Sequence, residues 1–233
     1  NGNTLYGDHD STHVNLGVGS TTGTSGENYK YAVVSGGYDN EAGGEYSAIG
    51  GGGLNNVSGS ISVIGGGGLN IITGDFSFIG GGEDNFVSHD HSAIGGGYSN
   101  HASGNSSTIS GGSDNFASGE LSFVGGGTFN HASGESSVIG GGVGNTVSDD
   151  YSAVSGGFQN TASAEFSTIG GGGDNIASGY SSTVSGGYNN QATGFYSTIP
   201  GGDSNVAAGD YSFAAGRRAK VDVSHSGSFL FAD

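Results

Sequence analysis

The residues best equipped for chemistry in this chain are imidazoles set beside carboxylates. His9, Asp10 and His13 lie together near the N-terminus, and His89, Asp90 and His91 are consecutive. Two imidazoles and a carboxylate are donor types that hold zinc, and a histidine beside a carboxylate is a pair that moves protons. Neither group has the ligand spacing of a metal framework, and no metal site is expected at either. Carboxylates also recur at a fixed interval, at Glu45, Asp75, Asp90, Glu120, Glu135, Asp150, Glu165 and Asp210. Such a column repels itself unless it is well solvated or holds cations, and calcium would need several converging oxygens. A solvated edge that discourages aggregation is the reading taken here. Serine is abundant, but a hydroxyl without a placed base is inert. No Gly-x-Ser-x-Gly elbow and no phosphate loop with a lysine occurs. No catalytic residue and no cofactor is expected, and the chain does not read as an enzyme.

The fixed interval is the organising feature. Ser-x-Ile-x-Gly-Gly-x-x-Asn-x-Ala-Ser-Gly returns every 15 residues, twelve times without a gap, from Tyr31 to Asp210. A period this short has room for one turn of a coil, so the chain reads as a solenoid. Numbering each repeat from Tyr31, position 4 is always Ile or Val and position 2 is Ser in eleven of twelve repeats. Alternation over positions 1–5 is a strand signal, and β-branched residues at one phase suit a pleated surface. Two short strands per coil are predicted, near positions 1–5 and 10–13. Positions 2, 4 and 12 should point inward into a one-layer core. Gly-Gly at 6–7 makes one turn, and the frequent Gly at 14 makes the other, where a positive φ is expected.

Position 10 is Asn throughout: Asn40, Asn55, Asn70, Asn85, Asn100, Asn115, Asn130, Asn145, Asn160, Asn175, Asn190 and Asn205. With coils stacked at the inter-strand spacing of about 4.8 Å, this column becomes a structural ladder in which each amide bonds its neighbours. The fold class is therefore all-β: a parallel β-solenoid, or β-roll, of twelve coils over 31–210. Residues 1–30 are expected to cap or dock, and 211–233 to form a final coil and cap in which Phe229-Leu230-Phe231 closes the stack.

Positions 1 and 3 should face outward, yet they carry Tyr31, Val33, Tyr46, Ile61, Val63, Phe76, Phe78, Leu121, Phe123, Val138, Tyr151, Phe166 and Tyr196. An apolar stripe this long exceeds what soluble monomers expose and predicts burial against another copy of the chain. An exposed strip used for contacts with surfaces or glycans is the alternative. The net charge is −17, and residues 31–210 hold 16 acids and no Lys or Arg. That sign repels phosphate backbones and anionic membranes, so nucleic-acid binding is not expected. No apolar run is long enough to cross a bilayer, and no membrane insertion is expected. Cysteine and methionine are both absent, so the fold rests on hydrogen bonds and packing, and the chain reads as a processed product or an excised fragment.

The segments Tyr46-Ser47-Ala48-Ile49-Gly50, Tyr151-Ser152-Ala153-Val154-Ser155 and Asp210-Tyr211-Ser212-Phe213-Ala214-Ala215-Gly216 resemble the head repeats of YadA-like trimeric autotransporter adhesins. The stretch Ala215-Gly216-Arg217-Arg218-Ala219-Lys220, followed by Gly227-Ser228-Phe229-Leu230-Phe231-Ala232-Asp233, is similar to the end of such heads and to bacterial and phage fibre proteins. The resemblance implies a left-handed, homotrimeric β-roll displayed outside the cell on a surface fibre, binding a surface protein or glycan receptor. The Gly-Gly-x-x-Asn turn is longer than the usual head repeat. Two other functions fit the pattern: a structural segment of a phage fibre or extracellular filament, and an ice-binding solenoid. The last needs regular Thr ranks, and Thr108, Thr168, Thr183 and Thr198 form only part of one.

Overall fold

The computed structural model describes residues 7–8, 11–12, 14–22 and 31–233. Among them every regular element is a β-strand, and the repeated strands stack in parallel as a β-solenoid. The chain divides into two compact units, Asn1–Asp114 and Asn115–Asp233. In the first, the strands Val33–Val34, Ala48–Ile49, Val63–Ile64 and Phe78–Ile79 form one parallel ladder. A second ladder runs through Glu41–Ala42, Asn56–Val57, Ile71–Ile72 and Phe86–Val87. The second unit repeats both, for example in Val138–Ile139 with Ala153–Val154 and in Thr146–Val147 with Thr161–Ala162.

The strands are shorter than the alternation suggests: two residues each, at positions 3–4 and 11–12. A third, single-residue bridge column at position 8 was not expected; Tyr38 pairs Gly53 and Phe158 pairs Gly173 in this way. Each coil therefore has three hydrogen-bonded edges. The N–H groups of positions 3, 5, 8, 11 and 13 donate to the next coil, as Val63 does to the Ser77 carbonyl at 3.0 Å and Gly65 to Ile79 at 2.9 Å.

The interior is filled as the pattern requires. Ile49, Val57, Ile64 and Ile72 are completely buried, as are Ser47, Ser62 and their counterparts in later coils. Ser, Ile and Ala are small enough that one layer of side chains fills the interior. The end segments extend this stack. In the first unit Val14–Asn15 pairs in parallel with Val33–Val34, and Thr21 bridges Glu41, so 14–22 lies as a further coil. In the second unit Phe229–Ala232 pairs in parallel with Phe213–Arg217, and Phe229 and Phe231 stay largely exposed instead of turning inward.

The second turn needs a correction. Gly at position 14 does not adopt a positive φ; the residues that do are at positions 1, 7 and 9 and, in several coils, the Gly at position 6. Ile61 has φ 56° and Leu54 60°, a region that large and β-branched side chains ordinarily avoid. The backbone accepts this because these two positions reverse the hydrogen-bond sense. Ile61 N–H donates to the Glu45 carbonyl of the preceding coil at 2.8 Å, and Leu54 N–H to Tyr38 at 3.1 Å. Gly is frequent at position 14 for a steric reason: a Cβ on Gly44 would lie 2.0 Å from the Gly59 carbonyl oxygen of the next coil, although His89, Asp149 and Ala164 carry one at this position. Gly52, at position 7, is constrained twice, by φ +85° and by the Gly67 carbonyl oxygen 1.9 Å from where its Cβ would be.

Candidate functional site

The twelve Asn side chains are buried. Asn55 shows what each does. Its Nδ2 donates to Asn40 Oδ1 at 3.0 Å, to the Gly51 carbonyl at 3.1 Å and to the Gly67 carbonyl at 2.9 Å. Its own Oδ1 accepts from the Asn70 backbone N–H and Nδ2, each at 3.1 Å. Asn130 and Asn145 repeat the arrangement in the second unit. Each amide ties together three consecutive coils and closes the Gly-Gly turn, so its polar atoms are engaged within the protein.

The apolar columns face outward. Of the thirteen side chains expected on an interface, Val33 is half-buried and the others are exposed. Their rings stack along the coil axis: Tyr31 on Tyr46 at 4.8 Å, Phe76 on His91 at 5.1 Å and Tyr151 on Phe166 at 5.4 Å. Ser181 interrupts the column, and Tyr180, from position 15, fills the gap. It meets Phe166 and Tyr196 edge-on, each at 5.6 Å. Partial burial there raises the Tyr180 phenol, helped by Tyr196 and Glu165. Sequence reasoning missed the other outward apolar residues, at positions 8, 9 and 11, among them Tyr38, Leu54, Leu69, Tyr98, Phe129, Phe158 and Tyr188. The missing signal was the outward phase of the second strand and of the position-8 bridge.

The acidic column is more engaged than a solvated edge. Each Asp in it accepts the position-15 N–H of the coil before: Asp75 from Ser60 at 2.7 Å, Asp90 from Asp75 at 2.9 Å, Asp150 from Glu135 at 2.7 Å and Asp210 from Phe195 at 3.0 Å. Glu is one methylene longer, and Glu135 instead accepts from the Tyr151 hydroxyl at 3.0 Å, which raises that phenol. The consecutive triad is dispersed: His89 Nδ1 lies 3.0 Å from Ser88 Oγ, Asp90 caps Asp75, and His91 stacks on Phe76. Among the described residues no group of three or more His, Asp or Glu is arranged to hold a metal. His9, Asp10 and His13 lie outside the described residues.

Two shallow recesses lie among the described residues. One of about 380 Å³ lies beside Glu41, Gly43, Gly44 and Glu45, with Glu41 Oε2 accepting from Asn56 Nδ2 at 2.8 Å. The other, about 260 Å³, is lined by Lys220, Asp222, His225 and Phe229, with Lys220 Nζ 3.6 Å from Asp222. At the second, Ser224 Oγ lies 3.2 Å from His225 Nδ1. The fold and its surface define a β-solenoid repeat protein that shows recurrent side chains on every turn. No protein-family model matches the chain, and no curated protein matches it.

Proposed function

We propose that this chain is the non-enzymatic adhesive head of an extracellular surface fibre, similar to YadA-like heads, left-handed and assembled as a homotrimer. One observation carries the reading. Rings at position 1 stack outward from coil to coil, and together with the apolar side chains at position 3 the single chain leaves them about half exposed. Uncovered apolar area on this scale is an association surface. The candidate interface is the set named above, from Tyr31 and Val33 to Tyr196, with the position-15 Asp turns at its rim. The remaining outward columns are then free to meet a surface protein or glycan.

Light scattering coupled to size exclusion tests the assembly. A mass near three times 22.7 kDa is expected, and Phe78→Glu with Phe123→Glu should reduce it to that of the monomer. A monomeric wild-type chain refutes the trimer. Adhesion is tested separately, by retention of the labelled chain on cell-wall and matrix preparations. A stable trimer that adheres to nothing leaves the structural fibre segment as the better description.

A further inference from the structure

Oxidisable side chains in this chain are few in kind. Cys, Met and Trp are all absent, so the sulfur groups that ordinarily intercept oxidants are missing. The tyrosine phenols are then the groups that yield an electron most readily. Along position 1 two tyrosines become neighbours twice, Tyr31 with Tyr46 and Tyr196 with Tyr211, at the two ends of the repeated block. Both pairs lie face to face. In the second unit the Tyr196 and Tyr211 rings are 5.1 Å apart and 7° from parallel; in the first, Tyr31 and Tyr46 are 4.8 Å apart and 13° from parallel. The backbone sets this geometry. Tyr196 and Tyr211 share φ 56°, and each N–H is tied to the coil before, Tyr211 to the Phe195 carbonyl at 2.7 Å and Tyr196 to Tyr180 at 2.9 Å. Equivalent ring atoms therefore face each other one coil apart. Tyr180 differs, standing edge-on to Tyr196 at 76°. Tyr211 is 67% exposed and Tyr196 47%, so an oxidant reaches the pair and the rings have room to tilt together.

We propose that Tyr196 and Tyr211 are a site of oxidative cross-linking, a carbon–carbon dityrosine bond between successive coils, with Tyr31 and Tyr46 its counterpart in the first unit. The co-reactant is hydrogen peroxide used by a haem peroxidase. Each phenol gives up one electron and its hydroxyl proton, and the two phenoxyl radicals join through ring carbons ortho to the oxygens. The hydrogen on each joined carbon then moves to the oxygen and restores both phenols. The pair has lost two hydrogens in all, and these reduce one peroxide to two waters. Rings held one coil apart couple within the chain ahead of any encounter between chains. The bond closes a loop of one coil toward either end of the repeated block, and chain ends are where local opening starts. In a chain without cysteine it does the work of a disulfide. The reaction lies within one chain and goes beyond the adhesive reading, and Tyr211 stands outside the proposed interface.

The test treats the full chain, kept dilute, with a haem peroxidase and hydrogen peroxide, and follows dityrosine fluorescence and intact mass. A single chain lighter by two hydrogens per link is expected. Cleavage at acidic residues, which cuts at Asp203 between the two rings, should leave the peptides carrying Tyr196 and Tyr211 joined. Links at the stacked pairs should exceed those at Tyr38 and Tyr98, which are equally exposed, by at least about ten-fold. Tyr211→Phe removes one phenol and keeps the ring. Phe166 already holds this position with φ 60°, so the variant keeps the coil. It should abolish the 196–211 link and leave the 31–46 link intact. Links between chains only, a main product at Tyr180, equal yields at Tyr38 and Tyr98, an unchanged product from Tyr211→Phe, or no link at all overturn the proposal.

Discussion

Ser77 in the first unit and Ser182 in the second occupy the same position of the coil and are both buried. Ser77 Oγ donates to the Asp75 and His89 carbonyls at 3.0 and 3.1 Å and accepts from Ser92 N–H at 3.2 Å. Ser182 Oγ has no partner, and its own N–H folds back to the Gly179 carbonyl at 3.0 Å. Ser62 and Ser92 follow the first arrangement, and Ser137, Ser197 and Ser212 the second. The closing turn thus has two hydrogen-bond solutions that satisfy the backbone equally. What position 2 requires is smallness; the hydroxyl is engaged at Ser62, Ser77 and Ser92 and idle at Ser137, Ser182, Ser197 and Ser212, while in the second unit Ser152 Oγ donates to the Asp149 carbonyl.

Four substitutions or conditions test this contrast, beginning with those that should ignore it. Gly142→Ala is the most damaging: φ is +94° and the added Cβ would lie 2.2 Å from the Gly157 oxygen. A loss of roughly 3–5 kcal/mol is expected by denaturant titration, and Gly52→Ala should match it in the other unit. Asn145→Ala removes donors to Asn130 Oδ1, Gly141 and Gly157; about 2–4 kcal/mol should be lost because buried acceptors are left unpaired. The contrast itself is read from two serines. Ser77→Ala should destabilise by about 1–2 kcal/mol, whereas Ser182→Ala should be neutral or stabilise by up to about 1 kcal/mol. Equal losses at both sites would erase the distinction.

The smallest effect is alkaline. Tyr151 is raised first by its hydrogen bond to Glu135, and Tyr188 first by its hydrogen bond to Asp174. A phenol with a raised folded pKa binds its proton more tightly in the folded state. That contribution is complete below the ordinary tyrosine value, about 10, and disappears as pH rises through the folded value. Thermal midpoints should therefore fall above that pH, and Tyr151→Phe with Tyr188→Phe should flatten the decline.

The sequence made the interior legible because packing restricts it. A one-layer core admits only small or β-branched residues at positions 2, 4 and 12, and the Asn ladder admits no other side chain of the same reach. The period alone therefore located the strands and the ladder. Three features were hidden. The position-8 bridge is made by backbone atoms, so its side chains range from Gly53 to Tyr98 and Glu83 without trace of their pairing. The left-handed residues are Tyr46, Ile61 and Leu121, types chosen for their outward rings and chains despite the φ they must adopt. The two serine arrangements share one residue type, and only coordinates separate them. The outward stripe at positions 1 and 3 was readable from alternation.

The uniform interior has a consequence for how this chain reaches its native pairing. A segment that docks one whole coil out of place buries the same Ser, Ile, Asn and Ala and forms the same ladder bonds, so the core barely penalises the slip. Fidelity must come from the order of events: each coil templates the next, and growth from one nucleus never offers a distant coil the choice. By the same token, a gene that gains or loses one 15-residue unit encodes a protein whose interior needs no repair.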